Sequence, residues 1–384
     1  MRMPKLFLKS AGCYLSCWLR SFLPGRHPGA PLNGRRFVFL LLLFPPFLAL
    51  QLLHALAWLL DEVLFPGYRR VELRAPVFVT GLPRSGTTFV HRTLAADPRF
   101  CSFSTWEALL APTVLERRLL RAAARIDRRL GGPLRRTVDR VLKQFGGDFD
   151  SVHAVRRDAP EEDYLALLPF SGCFLLVLAF PFCRGFSALG RFDQVPKAAR
   201  EPLLEAYHRC LQKQLFCAPP GKRLLSKNAA FGSWVPDLAR RYPDARFLLC
   251  IRDPLDGLSS QLSSVAGGRR FFGTDPDDEA FARLFTDTFA HNYAGLADFT
   301  ARAPAGRFAI LDQGRLRRDP RRTLGLALEA SGIEPDGTLR ARVDSLEPAK
   351  PSAHAHDPGE FPLDPEQIEV CISPAYRKML ERSP

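Results

Sequence analysis

Residues 75–88 read APVFVTGLPRSGTT, an apolar run followed by a glycine-rich turn and the start of a helical pattern. Gly81 and Gly86 have the spacing of the nucleotide-triphosphate loop GxxxxGK[ST], but Thr87 occupies the lysine position of that motif. The cationic side chain of the turn is instead Arg84. The stretch therefore predicts a strand, an anion-binding loop and a helix, with an arginine as the charged group.

The predicted loop offers several donors to an anion. Main-chain N–H groups of the loop point at the ligand, and the dipole of the following helix adds positive potential. Ser85, Thr87 and Thr88 add hydroxyl donors, and Gly86 completes the tight turn. We expect these residues to bind a phosphate group.

Short apolar runs alternate with helical patterns along the rest of the chain, which is typical of βα units. Strands are predicted at residues 75–80, 222–226, 245–251 and 307–311, and helices at 86–96, 229–241, 255–264 and 313–331. We expect an α/β P-loop fold with a central, mostly parallel sheet flanked by helices. This domain would cover residues 71–384, with a largely helical insertion at about residues 106–216.

Composition narrows the class of protein. The chain of 384 residues is 46% hydrophobic, enough to bury a sizeable core. Its net charge of +14 suits an anionic ligand, a membrane surface or nucleic acid. The nine cysteines include no CxxC pair or metal-like spacing, so we expect reduced core residues in a reducing compartment. The histidine cluster at residues 354–357 is interpreted as a solvated loop.

The N-terminal segment, residues 1–70, combines basic residues with an apolar stretch at residues 37–60. Such a segment suits association with an anionic bilayer, but Pro45 and Pro46 interrupt the apolar stretch. We favour a monotopic or re-entrant helical hairpin bent at these prolines, with the catalytic portion in the cytoplasm. A full membrane span and a helix pair packed on the soluble domain remain as alternatives.

A second anion site is predicted after the apolar run at residues 245–251. Arg252 closes this strand, and Ser260 lies eight residues further on, inside the next helix. Loops that follow neighbouring parallel strands meet at one edge of a sheet, so both predicted sites would face one ligand. A bidentate arginine and a hydroxyl group suit a second phosphate.

The hexapeptide PRSGTT at residues 83–88, together with Arg252 and Ser260, resembles the sulfotransferases that use 3'-phosphoadenosine 5'-phosphosulfate (PAPS). The arginine form of the loop is similar to that of tyrosylprotein sulfotransferases and many bacterial relatives. The resemblance implies that the loop binds the 5'-phosphosulfate and that Arg252 and Ser260 bind the 3'-phosphate. It also matches Lys227 to a lysine that stabilises the transferring sulfonate. Ala229 departs from the cytosolic enzymes, which place a histidine base at this position.

Sulfonyl transfer needs a base for the acceptor proton, and the sequence offers three sets of candidates. Glu107 is the first, because it lies near the position of the catalytic glutamate in the tyrosylprotein enzymes. His153 is the second, because imidazole has a suitable intrinsic pKa. Glu161, Glu162 and Asp163 form the third set, although acidic residues also stabilise the first turn of a helix.

These features predict a membrane-associated, PAPS-dependent sulfotransferase that acts on a hydroxyl or amine acceptor by in-line displacement, without a metal. Arg84 and Lys227 are its predicted catalytic cations. The apolar insertion and N-terminal segment favour a hydrophobic or lipid-linked acceptor, and we expect no nucleic-acid partner. Two alternatives stay open, an ATP- or GTP-dependent kinase or NTPase with a deviant loop, and a non-catalytic membrane scaffold. Thr87, which replaces the phosphate-binding lysine, disfavours the kinase or NTPase. The joint presence of two predicted anion sites disfavours the scaffold.

Overall fold

The predicted apolar runs form a parallel sheet at the centre of the protein. In this computed structural model the strands are β1 Val77–Gly81, β2 Phe100–Cys101, β3 Arg223–Asn228, β4 Arg246–Ile251 and β5 Phe308–Asp312. The structure describes residues 3–23, 27, 29–133, 136, 161–349 and 360–383. The strand order is β2-β3-β1-β4-β5, and each pair is parallel. The predicted α/β architecture is confirmed, and the short strand β2 is an addition to it.

Both faces of the sheet are buried, which explains why its strands are continuous apolar runs rather than alternating ones. Val79 and Leu248 contribute to a core on one face, where Leu94 and Leu324 from the covering helices complete it. On the other face, Phe78 stacks on Phe247 with ring centroids 5.4 Å apart.

Helices cover the sheet, and further helices precede β1 and follow β5. They are α1 Met3–Ser21, α2 Gly34–Val38, α3 Phe44–Leu64, α4 Thr87–Leu94, α5 Thr105–Leu110, α6 Val114–Arg129, α7 Leu176–Ala179, α8 Arg184–Ser187, α9 Lys197–Phe216, α10 Val235–Arg241, α11 Pro254–Phe272, α12 Glu279–Arg302, α13 Gln313–Arg318, α14 Pro320–Ala330, α15 Gly337–Asp344, α16 Pro365–Cys371 and α17 Ser373–Leu380. Shorter 3₁₀ segments occupy Pro66–Arg70, Asp163–Phe170, Ala188–Gln194 and Gly232–Trp234. The predicted loop at residues 354–357 and His153 lie outside the described residues.

Three predicted helices have different bounds in the structure. The helix predicted at residues 255–264 is the beginning of the longer α11. The pattern at 313–331 forms two helices, because Pro320 starts α14 and the Asp319 side chain caps it. The segment at 229–241 begins with a 3₁₀ turn before α10.

The apolar N-terminal stretch lies in one helix of 31 residues, Gly34–Leu64. The predicted bend at Pro45 and Pro46 is wrong, because these prolines lie in the first turn of α3, directly after a π-helical turn at Phe39–Leu43. Proline lacks the N–H group of the helical ladder and crowds the preceding turn, so the widened π turn lets the helix continue. By length and composition alone, this helix could cross a membrane.

Helix α3 buries its few polar side chains together with Phe44 and Trp58, and it exposes a row of aliphatic ones. Gln51, His54 and Asp61 are buried. His54 Nδ1 lies 2.5 Å from Glu116 Oε1 on α6. The outward face carries exposed aliphatic side chains, namely Leu52, Leu53, Leu56, Leu59, Leu60, Val63 and Leu64. The outer face of an ordinary surface helix carries polar side chains instead.

A buried ion pair joins α3 to the α/β domain. Lys213 Nζ lies 2.9 Å from Asp61 Oδ2, with both side chains inaccessible to solvent, and 3.3 Å from the centroid of the Trp58 ring. Asp61 also accepts hydrogen bonds from the backbone N–H groups of Val114 and Leu115 at the start of α6. Burial lowers the pKa of Lys213 to about 8. The pair therefore links α3, α6 and α9.

Helix α1 packs against the same part of the protein. The Phe7 ring stacks on Phe170 with centroids 4.7 Å apart, and the Tyr14 hydroxyl donates a hydrogen bond to Leu168 O at 2.5 Å. Helix α1 thus packs on the domain as α3 does, although the stretch at residues 37–60 forms one helix rather than the helix pair of the predicted alternative.

Candidate functional site

The loop after β1 has the geometry of an anion-binding turn. A Cβ atom at Gly81 would lie 2.0 Å from Cys250 O, so only glycine allows this approach of β1 to β4. Gly86 precedes α4 with a φ of +91°. Arg84 adopts a φ of +64°, a left-handed conformation that costs a non-glycine residue about 1 kcal/mol. The loop is therefore held in a conformation that its arginine does not prefer.

The loop hydroxyl groups have different environments. Ser85 is buried, and its Oγ donates a hydrogen bond to Leu82 O at 2.5 Å, so this hydroxyl stabilises the loop itself. Thr87 and Thr88 are the first residues of α4. The Thr87 side chain is buried and that of Thr88 is half-buried. Binding of an anion by these predicted donors stays a prediction.

The two predicted anion sites meet at the carboxyl ends of β1 and β4. Arg84 Nε donates a hydrogen bond to Ser260 Oγ at 3.2 Å, and Arg252 Nη1 donates one to Arg84 O at 3.3 Å. Burial, and after it the charge of Arg252, lowers the pKa of Arg84. Burial and the charge of Arg317 lower the pKa of Arg252. Positive charge is thus concentrated at one edge of the sheet.

This concentration of charge lacks a close acidic partner in the described part of the chain. Asp256 approaches Arg252 only to 3.9 Å and is largely exposed. Arg252 Nε and Ser259 Oγ are buried donors without a hydrogen-bond partner among the described residues. Buried guanidinium groups and unpaired donors are unfavourable unless an acceptor or anion binds them. The residues present therefore fit an anionic ligand with phosphate-like oxygens.

Lys227 lies on β3, which pairs with β1 on the side away from β4. Its Nζ lies 3.0 Å from Glu162 Oε1 and 3.4 Å from Glu161 Oε1. Burial, together with the charge of Lys227, lowers the pKa of His91 on α4 to about 3, so this imidazole is neutral. Lys227 thus lies close to the helix that follows the anion-binding loop, beside two half-buried carboxylates.

A buried polar network supports this part of β3. Asp163 accepts hydrogen bonds from the Tyr207 hydroxyl at 3.0 Å and from the Asn228 side chain. Asn228 Oδ1 in turn accepts from Tyr164 N at 2.9 Å. Burial raises the pKa of Asp163 to about 7, against the hydrogen bonds that lower it. The network fixes the acidic segment against the strand that carries Lys227.

Glu107 has a structural role that its sequence position did not indicate. Its Oε2 atom accepts from Ser104 N, Ser104 Oγ and Gln214 Nε2, and its Oε1 atom accepts from Arg121 at 3.1 Å. Burial acts to raise the pKa of Glu107, but the charge of Arg117 and the Ser104 hydrogen bonds outweigh it and lower the pKa. Both carboxylate oxygens are therefore engaged in capping α5 and joining it to α6 and α9.

Two further side chains contribute to the site and were not predicted. Arg317 on α13 acts electrostatically on Arg252, and the Tyr293 hydroxyl on α12 donates a hydrogen bond to Arg252 O. Arg317 follows the carboxyl end of β5, where parallel strands place ligand-binding groups, so its position was a usable signal. No sequence signal indicated Tyr293, because α12 itself was not predicted.

A parallel sheet with a glycine-rich, arginine-bearing loop after its central strand β1, and a second arginine after the neighbouring strand β4, is the arrangement of a P-loop fold. The family model described as the sulfotransferase family matches residues 76–336, which include both anion sites and Lys227. The chain belongs to the sulfotransferase family. No curated protein sequence matches the chain significantly.

Solved structures show the same fold. Sulfotransferase STF1 from Mycobacterium tuberculosis H37Rv is 18% identical with a TM-score of 0.69, and the match covers 97% of this chain and 99% of STF1. Sulfotransferase STF9 from Mycobacterium avium is 16% identical with a TM-score of 0.64, and the match covers 98% and 95% of the two chains. Both matches cover nearly the whole chain, so the similarity of fold includes its N-terminal helices.

The raised pKa of Asp163 predicts a pH-dependent stability. Between its ordinary value of 3.8 and about 7, the folded state binds more protons at Asp163 than the unfolded state. The free energy of unfolding should therefore fall as pH rises through this window, by an amount on the order of 4 kcal/mol. The measurement is chemical denaturation of wild-type and Asp163→Asn protein at several pH values.

The free energy of unfolding of Asp163→Asn protein should change less with pH than that of wild type, whatever the absolute stability of the variant. Asp298→Asn is the control, because Asp298 forms an exposed pair with Arg302 and its loss should leave the wild-type slope unchanged. Parallel curves for wild-type and Asp163→Asn protein would contradict the assignment.

Proposed function

We propose that this protein transfers a sulfonate group from PAPS to a hydroxyl or amine acceptor by in-line displacement. The observation that carries the proposal is the direct contact of Arg84 with both Ser260 and Arg252, at the ends of adjacent parallel strands. Two adjacent positively charged sites suit a donor that carries phosphate at two positions. PAPS, when bound, supplies an activated sulfonate with a phosphate leaving group.

Each end of the donor has residues that suit it. The backbone N–H groups of the loop and the Thr88 hydroxyl would bind the 5'-phosphosulfate at the start of α4. Arg252 and Ser260 would bind the 3'-phosphate, which gives a hydrogen-bond acceptor to the unpaired Arg252 Nε. Arg84, between these groups, would neutralise the charge that develops on the leaving phosphate oxygen.

Lys227 and its two carboxylates suit the transfer step. Lys227 would hold the oxygens of the transferring sulfonate, while one carboxylate of the Glu161–Glu162 pair removes the proton from the acceptor. The proton moves to the carboxylate as the acceptor oxygen bonds to sulfur and the bond from sulfur to the leaving oxygen breaks. We favour this pair over Glu107 as the base, because the Glu107 oxygens are occupied by four hydrogen bonds.

We also propose that the protein lies on one surface of a membrane, with its catalytic domain in the cytoplasm. The outward face of α3 carries exposed aliphatic residues such as Leu53, and the neighbouring α6 adds exposed apolar and basic ones, for example Leu119 and Arg118. A transmembrane orientation would separate α3 from the domain and break the Asp61–Lys213 pair. This position would give the site access to a hydrophobic or lipid-linked acceptor.

Donor binding provides the first test of the function. Calorimetry on detergent-purified full-length protein without metal should detect tight binding of 3'-phosphoadenosine 5'-phosphate and weak binding of ATP. Arg252→Ala should weaken this binding by about 1.5 to 3 kcal/mol, the range for hydrogen bonds to charged groups. Arg302→Ala is the matched control, because Arg302 is exposed and pairs with the exposed Asp298, away from the two arginines of the site. No binding of 3'-phosphoadenosine 5'-phosphate, or equally tight binding of ATP with magnesium, would contradict the proposal.

The base is tested by activity. Transfer from labelled PAPS to a membrane lipid extract should be measured against pH for Glu161→Gln, Glu162→Gln and Glu107→Gln proteins. Loss of the base should lower kcat by about 10²- to 10⁴-fold and remove the rise of kcat with pH. We expect this in one variant of the acidic pair, whereas Glu107→Gln should mainly lower stability, by about 1 kcal/mol for a weakened cap. If Glu107→Gln lost the pH-dependent kcat and both variants of the acidic pair kept it, Glu107 would be the base instead.

Membrane binding is tested by flotation with vesicles that contain anionic phosphatidylserine. Wild-type protein should float, and Leu53→Lys with Leu56→Lys should reduce the bound fraction by at least about tenfold, because each leucine contributes about 1.5 to 3 kcal/mol when buried. The control is Val370→Lys, at an exposed aliphatic residue on α16. Unchanged flotation of the leucine variant would exclude this face as the contact.

A further inference from the structure

Three cysteine side chains meet between α1 and the catalytic domain, away from the anion site. Cys13 and Cys17 lie one turn apart on α1, and Cys183 directly precedes α8. Their Sγ atoms all lie within 4.8 Å of one another. Cys17 and Cys183 are buried, Cys13 is half-buried, and each is a free thiol. The cluster brings together residues that are far apart in the sequence.

A buried arginine provides a second, independent observation. Arg36 on α2 is inaccessible to solvent and donates hydrogen bonds to Ala179 O and Ser21 Oγ, each at 2.9 Å. Among the described residues it has no carboxylate partner, and its Nε has no acceptor. Burial lowers the pKa of Arg36 to about 10, and the sulfur of Cys17 acts electrostatically in the opposite direction. An uncompensated buried cation is strongly unfavourable, so this region needs negative charge.

We propose that Cys13, Cys17 and Cys183 bind a thiophilic d¹⁰ metal ion, Zn²⁺ or Cu⁺, which fixes α1 to the catalytic domain. Three metal–sulfur bonds form, and the three thiol protons leave to solvent. Three thiolates with Zn²⁺ carry a net charge of −1, which complements the single charge of Arg36. Three thiolates also suit the coordination of Cu⁺.

The geometry requires little rearrangement. A zinc–sulfur distance of about 2.3 Å places ligand sulfurs roughly 4 Å apart, within the spacing already present. The surroundings are apolar and aromatic. Tyr14 packs near the Phe186 ring, with centroids 6.3 Å apart, and Phe180 lies 6.2 Å from Phe186. These rings limit the access of water to the buried sulfurs of Cys17 and Cys183, while the half-buried Cys13 leaves room for a fourth, solvent-derived ligand of zinc.

Two simpler explanations account for less of the structure. Buried cysteines often act as small apolar residues, but that role does not require three sulfurs to converge or explain the buried charge of Arg36. A disulfide would use two of the three sulfurs and leave the arginine without an anionic partner. The metal site uses all three sulfurs and supplies the charge.

The first measurement is elemental analysis of full-length protein purified in detergent under anaerobic, reducing conditions. We expect about one equivalent of zinc or copper per chain, and the element found identifies the ion. Protein stripped with a chelator should then be titrated with Zn²⁺ and with Cu⁺ in separate experiments. Each binding ion should raise the Tm of the stripped protein, because it binds only the folded state.

Cys17→Ser should lower the affinity for the bound ion by more than about tenfold and remove the metal-dependent rise in Tm. Cys210→Ser is the matched control, because Cys210 is a buried thiol outside the cluster and its substitution should retain the metal. The metal content of wild-type protein is measured directly, so the proposal is tested even if the Cys17→Ser variant fails to fold.

Several outcomes would overturn the proposal. These are reduced wild-type protein that neither retains nor binds either ion, Cys17→Ser protein that binds as tightly as wild type, and a disulfide within the cluster of the reduced preparation. Donor binding at the loop after β1 is a separate measurement, so the two proposals can fail independently.

Discussion

The contact between Gly81 and the carbonyl oxygen of Cys250 is the constraint on which the anion site depends. No side chain fits between β1 and β4 at this point, and Leu82 N donates a hydrogen bond to Cys250 O directly afterwards, at 3.1 Å. The loop after β1 and the helix after β4 therefore emerge side by side. Their closeness brings Arg84 to Ser260 without any movement of either element. A shift of one residue in strand register would direct the side chains to the opposite face and separate the two basic groups.

The sequence was most informative where local pattern and long-range structure agree. The four long strands were predicted because buried parallel strands are continuous apolar runs, and the pairing of Arg84 with Arg252 follows from one rule about strand ends. Strand β2 has only two residues, too few to produce a pattern. The carboxylates beside Lys227 come from a segment 66 residues earlier than the lysine for Glu161, and nothing local to either segment indicates that they meet. The same limit hid the third cysteine of the α1 cluster.

The N-terminal stretch shows how composition can be informative about a surface and misleading about a fold. Its leucines predicted contact with a bilayer, and its prolines predicted a bend. The structure instead places the few polar residues of the stretch on its inner face beside Trp58, where Asp61 pairs with Lys213 and His54 with Glu116. These polar residues diluted the apolar signal, and they are the ones that attach the helix to the domain. A buried pair of this kind gives little net stability but strongly disfavours separation of its partners.

Arg84 combines a left-handed backbone with a side chain beside a second guanidinium, so the loop carries both conformational strain and repulsion when no anion is bound. Any anion that binds there relieves the repulsion and stabilises the folded state by mass action. The liganded chain would therefore resist unfolding and proteases better than the unliganded one, through the loop alone.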